Sequence, residues 1–302
     1  MVDNPSTPKY KLLCAVKGKN FNVTDISQYH LSIHVSDAYF KVSCVNSVTT
    51  QCLLLETYFL VYHHSYQRVQ AIKQLYQDHT LLASSWSTVT LCIDNQQYTL
   101  VPGELVQKEK LADYLGFTCL VSGKTIKHFT HSSLNMAVIF AVDSGLLNWF
   151  QEIYEHTQLY TIHQASSLVQ GTWIYFRDNR PCLLPKVLVF VTSNYLHITV
   201  IQKNKLLYYN RFEYASSDKL LYYILVVMRT LQLDANLQEV ILGGNITKSS
   251  PAHKKARNYI RKLTFINALP YFKSRGILSK EIMRTHLDVL SAHLCHLTLL
   301  ER

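Results

Sequence analysis

Glycine and proline are scarce in this sequence, 9 and 7 of 302 residues, and only 17% of its side chains are charged. Disordered chains have the opposite composition, poor in apolar residues and rich in charge. With 48% hydrophobic residues, this chain is expected to fold nearly throughout. It also lacks any apolar run near the roughly 20 residues needed to cross a bilayer. The longest, Leu220 to Met228, is flanked closely by charges. The start, Met1 to Tyr10, has no basic-then-apolar pattern of the kind that directs secretion. Neither a transmembrane segment nor export is expected, which leaves the cytoplasm as the expected location.

No two cysteines form a Cys-x-x-Cys pair. The seven, Cys14, Cys44, Cys52, Cys92, Cys119, Cys182 and Cys295, are odd in number, scattered and mostly in apolar surroundings. They read as reduced core thiols, which argues against a zinc ribbon and against a disulfide framework. Nucleophile motifs are absent as well. Ser122-Gly123-Lys124-Thr125 resembles the end of a phosphate-binding loop, but Gly116 stands seven positions before Gly123 where the motif needs five. It reads as a turn.

What is present is period-two patterning. Leu31 to Val35, Tyr39 to Val45 and Cys52 to Leu60, broken at Ser36-Asp37 and near Asn46-Ser47, predict three strands in a meander. Val69, Ile72, Leu75 and Tyr76 then recur at helical spacing, and Thr88 to Ile93 and Gln97 to Val101 predict two more strands. The same order returns in the second half. Val187 to Val191, Leu196 to Ile201 and Leu206 to Tyr214 predict strands. A helix follows over Leu220 to Leu231, apolar on nearly all sides and capped by Ser217 or Asp218, and then the strand Glu239 to Leu242, closed by Gly243-Gly244. Between the repeats, Met136 to Val142, Ser144 to His156 and Leu159 to His163 read as β-α-β, which predicts a mostly parallel sheet. A terminal helix is expected over Ser279 to Leu300.

Three antiparallel strands, a helix and a further strand, occurring twice, resemble the plan of the actin-like ATPase superfamily. Met136-Ala-Val-Ile-Phe-Ala-Val-Asp143, its following helix and Leu159-Tyr-Thr-Ile-His163 resemble the central region of the pilus assembly protein PilM and the secretion protein GspL. The likeness is strongest to uncharacterised bacterial proteins with an actin-like fold, through the meander and the His/Leu/Cys-rich segment His286 to His296. The resemblance implies an α/β fold of two tandem ribonuclease H-like subdomains, with mixed sheets flanked by helices. The expected division is residues 1–28 as an N-terminal segment with room for a first strand, 29–180 as the first lobe with the β-α-β insertion, and 181–302 as the second lobe with the C-terminal helix.

In that superfamily the first strand of each lobe leads into a Gly-rich turn carrying an Asp, which holds phosphate and Mg²⁺. Here the Asp-x-Gly positions fall on His34 and Ser36, and again on Phe190 and Thr192. Phe190 cannot ligate a metal, so the resemblance implies a fold without ATPase or nuclease carboxylates. Asp37 reads as a turn residue. Gly243 and Gly244 match a glycine pair that passes adenosine in the superfamily, a remnant nucleotide site; read without the resemblance, they are a tight turn. No cofactor is expected, ATP being the one candidate.

Lys254, Lys255, Arg257, Arg261 and Lys262 form the densest basic cluster in a chain of net charge +10. Placed on one helix with Tyr259 nearby, they would suit an RNA backbone or a phosphorylated partner; a solvated helix face is the plainer reading. His286, His293 and His296 with Cys295 have spacings that fit metal ligation, but no acidic or cysteine partner is identifiable elsewhere, and packed or surface histidines are favoured. The leading expectation is a non-catalytic scaffold acting through a protein partner docked in an inter-lobe cleft. A nucleotide-binding switch without turnover and an RNA-associated protein are the alternatives.

Overall fold

The computed structural model describes residues 9–62, 64–116, 119–178, 184–267, 269–272 and 277–300. Cys182 and the expected lobe boundary at 180/181 lie outside them. The strands are β1 (Tyr10–Lys17), β2 (Tyr29–Val35), β3 (Tyr39–Asn46), β4 (Gln51–Leu60), β5 (Thr88–Ile93), β6 (Tyr98–Pro102), β7 (Lys124–His131), β8 (Met136–Asp143), β9 (Gln158–His163), β10 (Lys186–Val191), β11 (Tyr195–Gln202), β12 (Lys205–Glu213), β13 (Glu239–Gly244) and β14 (Lys262–Phe265). The helices are α1 (Ser65–Asp78), α2 (Leu111–Gly116), α3 (Ser144–Ile153), α4 (Gln164–Asp178), α5 (Ser217–Thr230), α6 (Pro251–Ala256), α7 (Lys280–Thr285) and α8 (Leu287–Leu300).

Two compact units result. The first holds residues 1–167, 275–277 and 288–302, and the second 168–274 and 278–287. This corrects the expected division twice. The boundary falls inside α4, and the C-terminal helix α8 belongs to the first unit, because its buried His293 and Asp288 side chains meet His30 of β2 and Lys41 of β3.

The first unit's main sheet has the order β1-β4-β3-β2-β5-β9. Neighbours β1/β4, β4/β3 and β3/β2 are antiparallel, whereas β2/β5 and β5/β9 are parallel. All seven residues of β2 are buried, so both faces of this central strand are covered. One face carries Leu31, Ile33 and Val35. The other carries His30, Ser32 and His34, and α8 lies against it: His293 Nδ1 is 2.9 Å from His30 Nδ1, and Ser43 donates to the Val289 carbonyl at 3.5 Å. On the same layer, fully buried Asp288 receives Lys41 Nζ at 2.5 Å. A buried carboxylate is costly without such a partner. Helix α1 buries Ala71, Ile72, Leu75 and Tyr76, and the Tyr76 ring meets Phe40 and Phe150 edge-on at 6.0 and 5.9 Å. A large apolar side chain so buried contributes roughly 1.5–3 kcal/mol.

Strands β6, β8 and β7 form a separate antiparallel three-stranded sheet. The β-α-β expectation therefore fails in one respect: β8 and β9 belong to different sheets. The run Met136 to Val142 is wholly buried, and continuous apolar character does not distinguish a parallel strand from a central antiparallel one.

The second unit has the order β12-β11-β10-β13-β14, antiparallel up to β10 and parallel beyond it. It repeats the first unit from β4 to β9. Helix α5 is capped by Ser216, whose side chain accepts from Lys219 N at 3.3 Å, one residue before the expected cap. The expected terminal helix is two, α7 and α8, parted at His286, where the backbone leaves helical geometry (φ −120°). Thr285 Oγ1 donates back to the Glu281 carbonyl at that end.

Candidate functional site

Ligands of open α/β sheets bind at the carboxyl ends of parallel strands, and the first unit has a cavity of about 180 Å³ there. Val35 ends β2, Ile93 ends β5, and Asp143 ends β8 and caps α3; all three line the cavity. Its charged groups are paired across it. Arg68, in the first turn of α1, lies 2.8 Å from Asp37, and Lys124, which opens β7, lies 3.2 Å from Asp143. Partial burial pushes the Asp143 carboxyl upward, but the hydrogen bond from Leu146 N and the Lys124 ammonium outweigh it and hold the group below the usual carboxylate range. The third carboxylate, Asp94, faces Gln164, whose amide nitrogen, turned toward it, reaches the two oxygens at 2.6 and 3.0 Å.

This arrangement limits the chemistry. Pockets for drug-sized ligands enclose roughly 300–1,000 Å³; this one is smaller, of a size for a small anion or a phosphate group. Among the described residues, no group of three His, Cys, Asp or Glu side chains is placed to hold a metal ion.

The two hairpin turns at the Asp-x-Gly positions close alike. In the first unit Ser36 N donates to the Tyr39 carbonyl at 2.9 Å, and the Ser36 hydroxyl accepts from Tyr39 N at 2.9 Å. In the second, Thr192 N donates to the Tyr195 carbonyl at 2.8 Å, and the Thr192 hydroxyl accepts from Tyr195 N at 3.2 Å. A side-chain hydroxyl thus takes the amide that a phosphate-binding turn would present to its ligand. Phe190 is buried in the second unit at 1% exposure.

Gly243 and Gly244 end β13, where their register partners on β10 are Phe190 and Val191. Gly244 has φ +81°, and a Cβ there would lie 2.0 Å from the Val191 carbonyl oxygen. One at Gly243 would lie 2.6 Å from Ile266 Cδ1. Close approach within the unit accounts for both glycines. The repeat continues past them: Asn245 N donates to the Val191 carbonyl at 2.7 Å, as Asp94 N does to the Val35 carbonyl at 2.9 Å. Asp94 is therefore the first unit's counterpart of the residue after the glycine pair.

A family model described as "Protein of unknown function (DUF3822)" matches residues 18–263. The chain belongs to this family. A Bacteroides thetaiotaomicron protein with an actin-like ATPase fold and unknown function is similar in structure. The two share 19% identity over 91% of this chain and 98% of that one, with a TM-score of 0.74. PilM in the PilM-PilN type IV pilus biogenesis complex is similar at 9% identity over 87% of this chain and 96% of that one, with a TM-score of 0.57. No curated protein sequence matches. The DUF3822 chain thus has the actin-like, duplicated ribonuclease H-like fold, with mixed sheets flanked by helices.

In the DUF3822 chain the basic cluster does not lie on one helix. Helix α6 ends at Ala256, so Arg257 and Arg261 follow it and Lys262 opens β14. Ala256 and Ile260 are buried in the second unit's core, which turns the segment back into the sheet. Lys254, Arg257, Arg261 and Lys262 are exposed, and Lys255 pairs with Asp218. Of the terminal histidines, His293 and His296 meet His30, while His286 belongs to the other unit and bonds locally to Thr285 and the Ile282 carbonyl. His30 also reaches the Thr90 hydroxyl at 2.9 Å. Burial drives His30, His293 and His296 all below the ordinary imidazole range, so the trio is neutral.

Sequence reasoning did not pick out Arg68, Asp94, Lys124 or Asp143 as a group. One signal was available: two apolar strands, Leu-Cys-Ile-Asp94 and Phe-Ala-Val-Asp143, each end in an aspartate. Both residues also suit a turn or a cap, which absorbed the signal.

Proposed function

We propose that this chain is a non-catalytic member of the actin-like fold that acts as a binding scaffold for another protein. The observation that carries the reading is the pair of self-closed turns, in which the Ser36 and Thr192 hydroxyls occupy the amides of Tyr39 and Tyr195. Catalysis of phosphoryl transfer depends on groups positioned on the phosphates and a metal, and here Asp37 and Asp143 are engaged with Arg68 and Lys124, and Asp94 with the Gln164 amide. PilM, of similar fold, is found in a complex with PilN. A cytoplasmic setting fits six described cysteines that are all free thiols.

The test is Mg²⁺-ATP turnover and thermal shift on the full chain. The expected result is no turnover and no nucleotide-dependent shift. Turnover that disappears in Asp94→Asn, with the melting midpoint retained, would overturn the reading.

A nucleotide-binding switch without turnover is the second reading. The position of Arg68 and Lys124 beside a cavity at the strand ends favours it, as would a remnant adenosine contact at Gly243 and Gly244. Binding at 100 times the dissociation constant stabilises a protein by about 2.7 kcal/mol. A shift of that size, lost in Lys124→Ala, would promote this reading over the first.

A further inference from the structure

Helix α5 has an apolar sequence on nearly all sides, but its own unit covers only part of it. Leu220, Leu221, Ile224, Val227 and Met228 are buried in the core over β10, β11 and β13. Tyr222 and Val226, one turn apart, remain 54% and 37% exposed. A helix apolar all round is normally covered all round.

The neighbouring segment defines what surrounds this face. Positions 218, 222, 225 and 229 share one side of α5. At one end of that side Asp218 pairs with Lys255. At the other, Arg261 N donates to the Ala235 carbonyl at 3.1 Å, just beyond the helix. Helix α6 packs against α5, and the segment that follows it is tied back to the loop after α5. Tyr259, in that segment, and Leu237, in the loop after α5, are exposed as well, at 56% and 57%.

The rim is cationic. Lys219, Arg229, Lys254, Arg257, Arg261 and Lys262 are all exposed. Three acids of these segments have partners of their own: Asp218 pairs with Lys255 at the edge of the face, Asp234 accepts from Asn236 N at 2.8 Å, and Glu239 lies 3.5 Å from Lys186. Positive charge around an apolar centre complements a ligand with acids around apolar side chains.

We propose that the α5 face and the 254–262 segment dock an acidic, amphipathic segment of a partner protein. Its apolar side chains cover Tyr222 and Val226, and its carboxylates meet the Arg257–Lys262 rim. The inference deepens the scaffold reading and rests on it. The composition of the face favours protein over nucleic acid. Single-stranded nucleic acid stacks successive bases on aromatic rings, but Val226 and Leu237 are aliphatic, and the Tyr222 ring already carries the Lys219 ammonium, 5.2 Å from its centroid.

The experiment is fluorescence anisotropy with the full chain and three labelled probes. These are a synthetic peptide of Glu and Leu at helical amphipathic spacing, the same peptide with Ser for Leu, and a single-stranded uridine oligonucleotide. The Glu/Leu peptide is expected to bind more tightly than the other two. Its binding should fall about tenfold or more in Arg257→Glu/Arg261→Glu, and again in Tyr222→Ala/Val226→Ser. All four side chains are solvent-exposed or nearly so, so the melting midpoint should stay in place, and either pair can be read alone. No binding of the Glu/Leu peptide, or binding that neither pair weakens, overturns the proposal. Tighter binding of the oligonucleotide overturns it in favour of nucleic acid. Mg²⁺-ATP turnover on the same preparation separates the two failures: turnover that is lost in Asp94→Asn sinks the scaffold reading itself, whereas peptide failure without such turnover sinks only this docking face.

Discussion

Taking the chain from about pH 7 to about pH 5 spans the range in which an ordinary imidazole charges, and three imidazoles in the first unit resist that change. His30 of β2 packs with His293 and His296 of α8, its ring centroid 4.7 and 4.6 Å from the other two. Burial, reinforced by the charge His296 would carry, holds His293 at about 3 against an ordinary value of 6.5. At pH values above 6.5 neither the folded nor the unfolded chain protonates this residue, and its stabilising contribution is complete. Below that value the unfolded chain takes up a proton that the folded chain refuses. Stability then falls by about 1.4 kcal/mol per pH unit for each such histidine, until the pH reaches the folded value. Between about pH 6.5 and 5, His293 alone removes about 2 kcal/mol, a large share of a typical domain's stability.

His30 and His296, shifted in the same direction, steepen the slope. His79 opposes it: its hydrogen bond to Glu56 raises its pKa, so its contribution is present at acid pH and is lost as pH rises. The assay is urea unfolding of the full chain at several pH values, comparing wild type with His293→Gln, which keeps a polar side chain but cannot titrate. The acid limb of the variant should be shallower by close to one proton. A wild-type stability that is flat between about pH 6.5 and 5, or identical acid limbs in both proteins, would refute the reasoning.

Other substitutions probe separate features. Gly244→Ala should cost on the order of 3 kcal/mol or more in urea or thermal unfolding, since it adds positive-φ strain to a Cβ 2.0 Å from the Val191 oxygen. Gly243→Ala should cost less, because the atom it meets is the end of the Ile266 side chain. Lys41→Met leaves Asp288 charged and buried and should cost about 3–5 kcal/mol; adding Asp288→Leu should recover much of it, as a double-mutant cycle would measure. Ser36→Ala and Thr192→Val should each cost about 1 kcal/mol and by similar amounts, as chemical denaturation can compare; a loss in one alone would show that the matching turns differ energetically.

The duplicated sheet was legible because its meanders are short, alternate cleanly and are broken by turn residues such as Ser36-Asp37 and Asn46-Ser47. Local pattern and tertiary pairing agree there. What escaped was non-local. Strand β1, for which residues 1–28 left room, could not be given bounds or a partner, because it is an edge strand whose alternation is spoiled by a bulge between Leu12 and Cys14. The three-stranded sheet was missed because β7, Lys-Thr-Ile-Lys-His-Phe-Thr-His, is half-buried with few apolar residues. The histidine cluster pairs residues 263 positions apart, beyond what spacing along a helix can reveal. The strand-end cavity suffered likewise, since Arg68, Asp94, Lys124 and Asp143 come from different elements that only the fold brings together.

The return of α8 to the first unit bears on how the chain acquires its structure. Domains generally fold as they leave the ribosome, N-terminal first, at about 5–20 residues per second. Here the first unit cannot finish in that order. Until residues 288–300 emerge, His30, His34 and Lys41 lack the helix that pairs with them, while the second unit's five strands are already synthesised. The sheet that starts first is completed last, so loss of the final helix would strip the covering from the oldest part of the fold rather than trim a tail.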